Sequence, residues 1–294
     1  MKITAYVASA FSKNHEGGNK AGVVFMTQPL TRTQKMAIAK ELGFAETAFI
    51  SDSKIADFRL EYFTPKEEVD LCGHATIGAF TIMKHLNKLL QTAYTIETNS
   101  GLLAITANGE QLFMEQTVPT FYDTLTLEEL SGCFDLNAVA TAFPIQIVST
   151  GLKDILVPIK NAQLLQDLQP NFEKIKLLSQ KYGVIGMHLF ALSEENIICR
   201  NFAPLYDIDE EAATGTSNGA LACYLHHHQI LQKTNYTFAQ GYTLNAPSEV
   251  LVRLNTTSQK TIDQVLVGGR GYYVETKELF LLHCIFNKCE KAFF

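Results

Sequence analysis

Cys72-Gly73-His74-Ala75-Thr76 lies between an extended segment, Phe58-Arg59-Leu60-Glu61-Tyr62-Phe63-Thr64-Pro65, and an apolar run from Ile77 to Leu86 with helical spacing. Small residues at a strand-to-helix junction let the backbone approach a ligand closely. The free N–H groups of a helix's first turn attract anions. His74 sits among those amides, where a carboxylate is bound and a proton can be moved. The plainer reading of the same residues is a tight turn with a buried histidine.

A second stretch has the same form. Thr214-Gly215-Thr216-Ser217-Asn218-Gly219-Ala220-Leu221-Ala222 also follows an extended apolar segment, Ile197 to Phe202, and runs into a helical pattern ending near His228. Gly73-x4-Gly78-Ala79 and Gly215-x3-Gly219-Ala220 are nearly one device used twice. Such internal similarity predicts a duplicated domain with two helix N-termini facing one another across a cleft.

Composition narrows the class. The 294 residues are 47% apolar, enough for substantial cores, and suit one large or two medium domains. A net charge of −6 without a Lys/Arg block argues against nucleic acid or an anionic membrane as partner. Apolar runs all fall short of the ~20 residues that cross a bilayer, and Met1-Lys2-Ile3-Thr4 begins like a strand rather than a leader. Cys72, Cys133, Cys199, Cys223, Cys284 and Cys289 lack CxxC spacing, as expected of reduced thiols in a cytoplasmic protein.

Along the chain, residues 2–9 alternate as a strand, 17–22 form a turn-rich loop and 23–26 the next strand. Thr31 caps a helix over 32–42 that Gly43 ends. Phe44 to Ile50 reads as an apolar strand carrying Glu46 in its middle. That carboxylate either points to solvent from an alternating strand or faces a cleft, where burial makes it a usable acid or base. A helix to about 89 and three short strands around Gly101 and Asn108-Gly109 complete the first half. Residues 1–118 and 119–294 are the expected lobes, with the last strand able to return to the first. In the second half, strands are predicted near 144–149, 155–159, 187–192 and 196–202, and helices over 161–167 and 171–182. Further strands are expected near 236–240, 248–254, 263–268, 271–275 and 278–283, with the tail from Cys284 unassigned. Strand-rich halves with one long helix each predict an α+β duplication, not a doubly wound parallel sheet.

Taken in order, these motifs resemble the phenazine-biosynthesis PhzF-like family, on the diaminopimelate epimerase fold. Gly18-Asn19-x-Ala21-Gly22-Val23 resembles its GNPAGV, with Lys20 in place of proline. Gly43 to Phe49 resembles the segment that bears the family's glutamate. Phe63-Thr64-Pro65 followed by Cys72 to Gly78 matches its most specific signature. Asn99-Ser100-Gly101-Leu102-Leu103 and Arg200-Asn201-Phe202-Ala203-Pro204 continue the series, and Glu210 to Thr216 resembles EDPATGS. The resemblance implies two similar lobes, each a curved, mostly antiparallel sheet or barrel around a central helix, with the site between them and no cofactor. It implies Glu46 as the main acid/base, assisted by His74 and by Glu211, which stands where the family pattern has Asp. Asn19, Gly73, Ala75, Gly215, Thr216 and Ser217 are its expected substrate-binding residues, and a homodimer its expected assembly.

The residues support that chemistry independently. Moving a proton between carbons without a metal requires a carboxyl poised near neutral pH and donors where negative charge develops. Glu46 supplies the first and the two glycine loops the second, for a small carboxylic acid substrate. A rival reading uses Cys72, which precedes the first glycine as the thiol of related two-cysteine epimerases does. Thr214 holds the second such place, and a hydroxyl is too weak a base for symmetric two-base racemisation. A one-sided Cys72 epimerase or dehydratase, small-residue packing of Cys72, and a non-catalytic small-acid-binding protein stay open. His226-His227-His228 is not a metal site on this reading, because consecutive helical residues point about 100° apart; it reads as a solvated helix end.

Overall fold

The computed structural model describes residues 1–193, 196–257 and 261–280. The chain opens with β1 (Lys2–Ala10), β2 (Asn19–Phe25), α1 (Arg32–Leu42), β3 (Thr47–Ser51), β4 (Phe58–Phe63) and the short β5 (Glu68–Val69). Helix α2 (Gly73–His85) is followed by the meander β6 (Ala93–Thr98), β7 (Gly101–Asn108) and β8 (Gln111–Gln116). Next come β9 (Thr120–Leu125), β10 (Ile145–Ser149), β11 (Lys153–Ile159), α3 (Ala162–Asp167), α4 (Phe172–Tyr182), β12 (Gly186–Leu192), β13 (Ile197–Ala203) and β14 (Ile208–Glu211). Helix α5 (Gly215–His227) leads to β15 (Asn235–Gln240), β16 (Ser248–Thr256), β17 (Ile262–Gly269) and β18 (Gly271–Phe280).

One order of strand pairing occurs twice. β1 pairs antiparallel with β2, β2 runs parallel to β3, β3 pairs antiparallel with β4, and β4 holds β5 on one side and runs parallel to β6; β7 and β8 follow antiparallel. β10 to β17 repeat that sequence of pairings step for step, with β14 in the place of β5. β18 covers β1 as β9 covers β10, so the last described strand returns to the beginning of the chain. The antiparallel contact of β8 with β17 joins the two sets into one sheet. The sheet is therefore mixed and mostly antiparallel, within an α+β fold.

Two helices are swallowed by this sheet. α2 packs against β1, β2, β3, β8 and β18, and α5 against β10, β11, β16 and β17. Both are buried on nearly every side, as suits a helix surrounded by protein, and α2 is buried continuously from His74 to Met83. The outer helices are amphipathic and end conventionally: Thr31 and Gln34 form a capping box on α1, and Gly43 closes it in the left-handed region. A single cluster of buried apolar side chains includes Ala8, Phe80 and Met114 from the first half and Val148, Leu221 and Val267 from the second.

Several sequence expectations shift. Helix α2 starts at Gly73, before the apolar run at Ile77, because small residues pack where the sheet comes close, and it ends at His85 rather than near 89. Asn19 to Gly22, expected in a loop, already pair with β1. Glu46 precedes β3 instead of sitting in its middle. The two strands expected over 271–283 are the one strand β18 as far as Phe280, and residues beyond it, with the tail from Cys284, lie outside the described residues. β9, mostly exposed, and the short, acidic β14 have no apolar pattern to announce them.

Candidate active site

Four chain reversals bring the site together. Glu46 enters β3 beside Gly22 of β2, whose N–H donates to the Glu46 carbonyl at 3.2 Å. Cys72 and Thr214 occupy the N-cap positions of α2 and α5 with closely similar extended backbones (φ −141° and −124°). Glu211 closes β14, opposite Asn201 of β13. Asn19, at the start of β2, bridges the two halves: its side-chain N–H donates to Glu211 Oε1 at 2.9 Å and to the Ala213 carbonyl at 3.2 Å.

His74 stands at the centre. Its Nε2 lies 3.2 Å from Glu46 Oε2 and its Nδ1 3.8 Å from Glu211 Oε1, with only 6% of the imidazole exposed. Cys72 Sγ lies 3.5 Å from the same Nδ1. Glu46 therefore faces the site, not solvent, and no hydrogen-bond donor is aligned with its Oε2 among the described residues. Cys72 is more than packing, since its thiol touches the polar cluster. The donor atoms of Glu46, Cys72 and His74 lie within 4.8 Å of one another. The carboxylate and the thiol approach different ring nitrogens most closely, an acid–base arrangement rather than lone pairs aimed at one ion.

Burial and charge compete at each group. Burial pushes the Glu46 carboxyl up, but the His74 imidazole and the Cys72 thiol outweigh it and hold Glu46 below its ordinary value. Burial pushes His74 down, while Cys72 and Glu46 together raise it well above its ordinary value. For Glu211 burial wins, and the carboxyl rises despite His74, Thr214 and Asn19. The Cys72 thiol is also raised, by burial first and then by Glu46, against the lowering pull of His74. Glu46 is thus favoured as the carboxylate and His74 as the imidazolium, with the Cys72 sulfur and Glu46 as the partners that raise it.

The expected binding residues divide by what their side chains do. Gly73 and Ala75 lie in the first turn of α2, Gly215, Thr216 and Ser217 in that of α5. Neither Cys72 nor Thr214 caps its helix through its side chain, unlike Thr31, Asn161 and Asn171 on the outer helices. Both central helices thus turn uncapped N-termini towards the site. The Ser217 hydroxyl is buried and donates to Asp154 Oδ2 at 2.6 Å, so its side chain is engaged within the protein. His226, His227 and His228 diverge: His226 meets the Lys233 carbonyl, His227 stacks on Phe121 and His228 meets Gln146 Oε1 at 2.7 Å. His228 is thus engaged rather than solvated.

Behind Glu211 lie polar residues whose part in the site was not read from the sequence: Thr214, Asn218 and Asn201, which sit within quoted motifs, and Gln240, His188 and Asp154, which no motif announced. The last three come from separate strands, β15, β12 and β11, so no spacing marks them.

Known proteins share this sequence and fold. The profile of the family described as phenazine biosynthesis-like protein matches residues 8–277. An uncharacterized isomerase of Clostridium acetobutylicum is 31% identical over 299 residues, covering 95% of this chain and 99% of that protein. The crystal structure of a Bacillus anthracis phenazine biosynthesis protein of the PhzF family superposes with a TM-score of 0.88 at 28% identity, covering 96% of this chain and 100% of that one. A hydroxyproline epimerase from Agrobacterium vitis shares the fold alone, at a TM-score of 0.61 and 10% identity over 95% of this chain and 91% of its own.

Proposed function

The chain belongs to the phenazine biosynthesis-like PhzF family and is an isomerase; from that premise we propose a cofactor-independent proton shift on a small carboxylic acid. The observation that carries this reading is the approach of Glu46 Oε2 to His74 Nε2, at 3.2 Å, beside the uncapped N-terminus of α2. Glu46, held ionised, takes a proton from a carbon made acidic by a neighbouring carbonyl or double bond. The negative charge that develops spreads to the substrate carboxylate, where first-turn amides of α2 and α5 receive it. The protonated Glu46 then returns the proton to a different carbon, so that one bond to hydrogen breaks, another forms and the double bond moves. His74, as imidazolium, holds Glu46 ionised at rest, with Cys72 and Glu211 against its other ring nitrogen.

Asn19, Gly73, Ala75, Gly215, Thr216 and Ser217 are the residues we assign to substrate binding. The repeated strand order supports lobes over 1–118 and 119–294, with β18 returned to the first, and the substrate held between the two helix N-termini. A cytoplasmic homodimer is the assembly that goes with the family, checked by light scattering of the purified protein.

Incubation in deuterated water with a panel of amino, hydroxy and unsaturated acids tests the reaction, with label read by mass spectrometry. Glu46→Gln should lower exchange by about 10²–10⁴-fold, the usual worth of general acid–base help, and Cys72→Ala should retain most of it. Loss confined to Cys72→Ala instead assigns the reaction to the thiol, a reading favoured by its 3.5 Å contact with His74. Binding without exchange from any acid leaves a small-acid-binding protein.

A further inference from the structure

Gln240 ends β15, is fully buried, and uses its entire carboxamide. Its Oε1 accepts from the Thr214 backbone N–H at 3.1 Å and from Asn218 Nδ2 at 2.9 Å. Its Nε2 donates to the Glu211 carbonyl at 2.8 Å and to the Thr214 hydroxyl oxygen at 3.1 Å. A backbone N–H and a backbone carbonyl fix which end is which, since the flipped amide sets donor against donor and acceptor against acceptor. With the Gln240 N–H on its oxygen, the Thr214 hydroxyl turns its own hydrogen to Glu211 Oε2. Asn19 supplies the other carboxylate oxygen. Both oxygens are accepting, as an ionised carboxylate requires.

The arrangement is held from behind. Asn218 Nδ2 donates to the Thr214 carbonyl at 2.9 Å, which leaves Asn218 Oδ1 to accept from His188 Nε2 at 3.2 Å. His188 is thereby the neutral Nε2–H form, and burial pushes it down to about 4. Its Nδ1 accepts from Asn201 Nδ2 at 3.2 Å. The second Asn201 N–H goes to the Ser217 hydroxyl at 3.1 Å, which donates onward to Asp154. From Asn201 the donors run one way through His188, Asn218, Gln240 and Thr214 to Glu211 and the other way through Ser217 to Asp154, so one network ties β11, β12, β13, β14, β15 and α5 together.

We propose that Gln240 and Thr214 are positioning residues: the saturated Gln240 carboxamide, backed by Asn218, His188 and Asn201, aims the Thr214 hydroxyl at the Glu211 carboxylate and keeps that carboxylate turned towards His74. The proposal rests on the reading of Glu211 as a member of the active site. It gives Thr214, in the place of a second thiol, a task a weak base can perform. Around Glu211 the charged and titratable groups are His74, which favours its ionised form, and Glu46 and Asp154, which oppose it.

The test needs no substrate. Carboxyl-carbon NMR of 13C-labelled glutamate follows the Glu211 titration in wild type, Thr214→Ser, Thr214→Val and Gln240→Met, with thermal unfolding as the check on folding. Loss of the Thr214 hydrogen bond to the carboxylate should raise the Glu211 proton affinity roughly tenfold in Thr214→Val, and Gln240→Met, which frees the Thr214 hydroxyl to turn away, should raise it in the same direction by less. Thr214→Ser should titrate with wild type. A Glu211 midpoint unmoved in folded Thr214→Val overturns the proposal whatever the Gln240 variant does. Deuterium exchange on the same proteins separates the two readings: no exchange in wild type with a moved midpoint defeats the isomerase mechanism and leaves the positioning intact, and the converse defeats the positioning alone.

Discussion

At the scale of single residues, His74 is governed by opposed forces: burial removes its charge, and the groups on both ring nitrogens restore it. Its folded value lies above its unfolded one, so its contribution to stability is complete below about pH 6.5 and fades as pH rises through the raised value. The urea midpoint of wild type should therefore fall from about pH 6 to alkaline pH. Glu46→Gln, which removes one of the raising groups, should shift that fall to lower pH, and imidazole NMR should show the His74 titration lowered with it. An unchanged His74 titration in Glu46→Gln means the pair is not coupled. The sequence placed Glu46 and His74 in motifs but could not tell a solvent-facing carboxylate from a cleft-facing one. Orientation depends on the β2–β3 register and on the entry of α2, both set by distant strands.

At the scale of elements, the two glycine devices differ once packed. A methyl group at Gly219 would lie 2.2 Å from Gln116 Oε1 and 2.9 Å from a Val267 methyl, so α5 touches the β8–β17 seam there. At Gly78 a methyl would meet only the methyls of Ala8 and Ala21, at 3.6 Å, an ordinary contact. Gly219→Ala should cost about 1–3 kcal/mol, as overpacking does, while Gly78→Ala should be neutral or stabilising by about 0.5–1 kcal/mol. Urea titration of both variants checks this, and equal costs refute the distinction. The regular helices were legible because caps and amphipathic stripes are local: Thr31 and Gly43, read as the ends of the first helix, do end it. The start of α2 and the strands β9 and β14 were not, because partners elsewhere in the sheet hold them.

At the scale of the molecule, a single buried cluster and the β8–β17 pairing tie both halves together. Unfolding by urea should then be one transition, with tyrosine fluorescence and far-ultraviolet circular dichroism coincident; two separated transitions contradict a shared core. The amino-acid sequence alone determined the class of fold, its repeated strand order, its family and the motifs that make up the candidate site, since apolar periodicity, turn chemistry and motif order are written locally. Tertiary structure alone decided that Cys72 joins His74, that Ser217 turns away to Asp154, and that Thr214 and Gln240 stand behind Glu211. The Ser217 and Gln240 contacts depend on strands far apart in the chain meeting at a particular register, while Cys72 and Thr214 are close in sequence to their partners and are set by side-chain direction at a helix entry, and neither kind of contact is written in residue spacing.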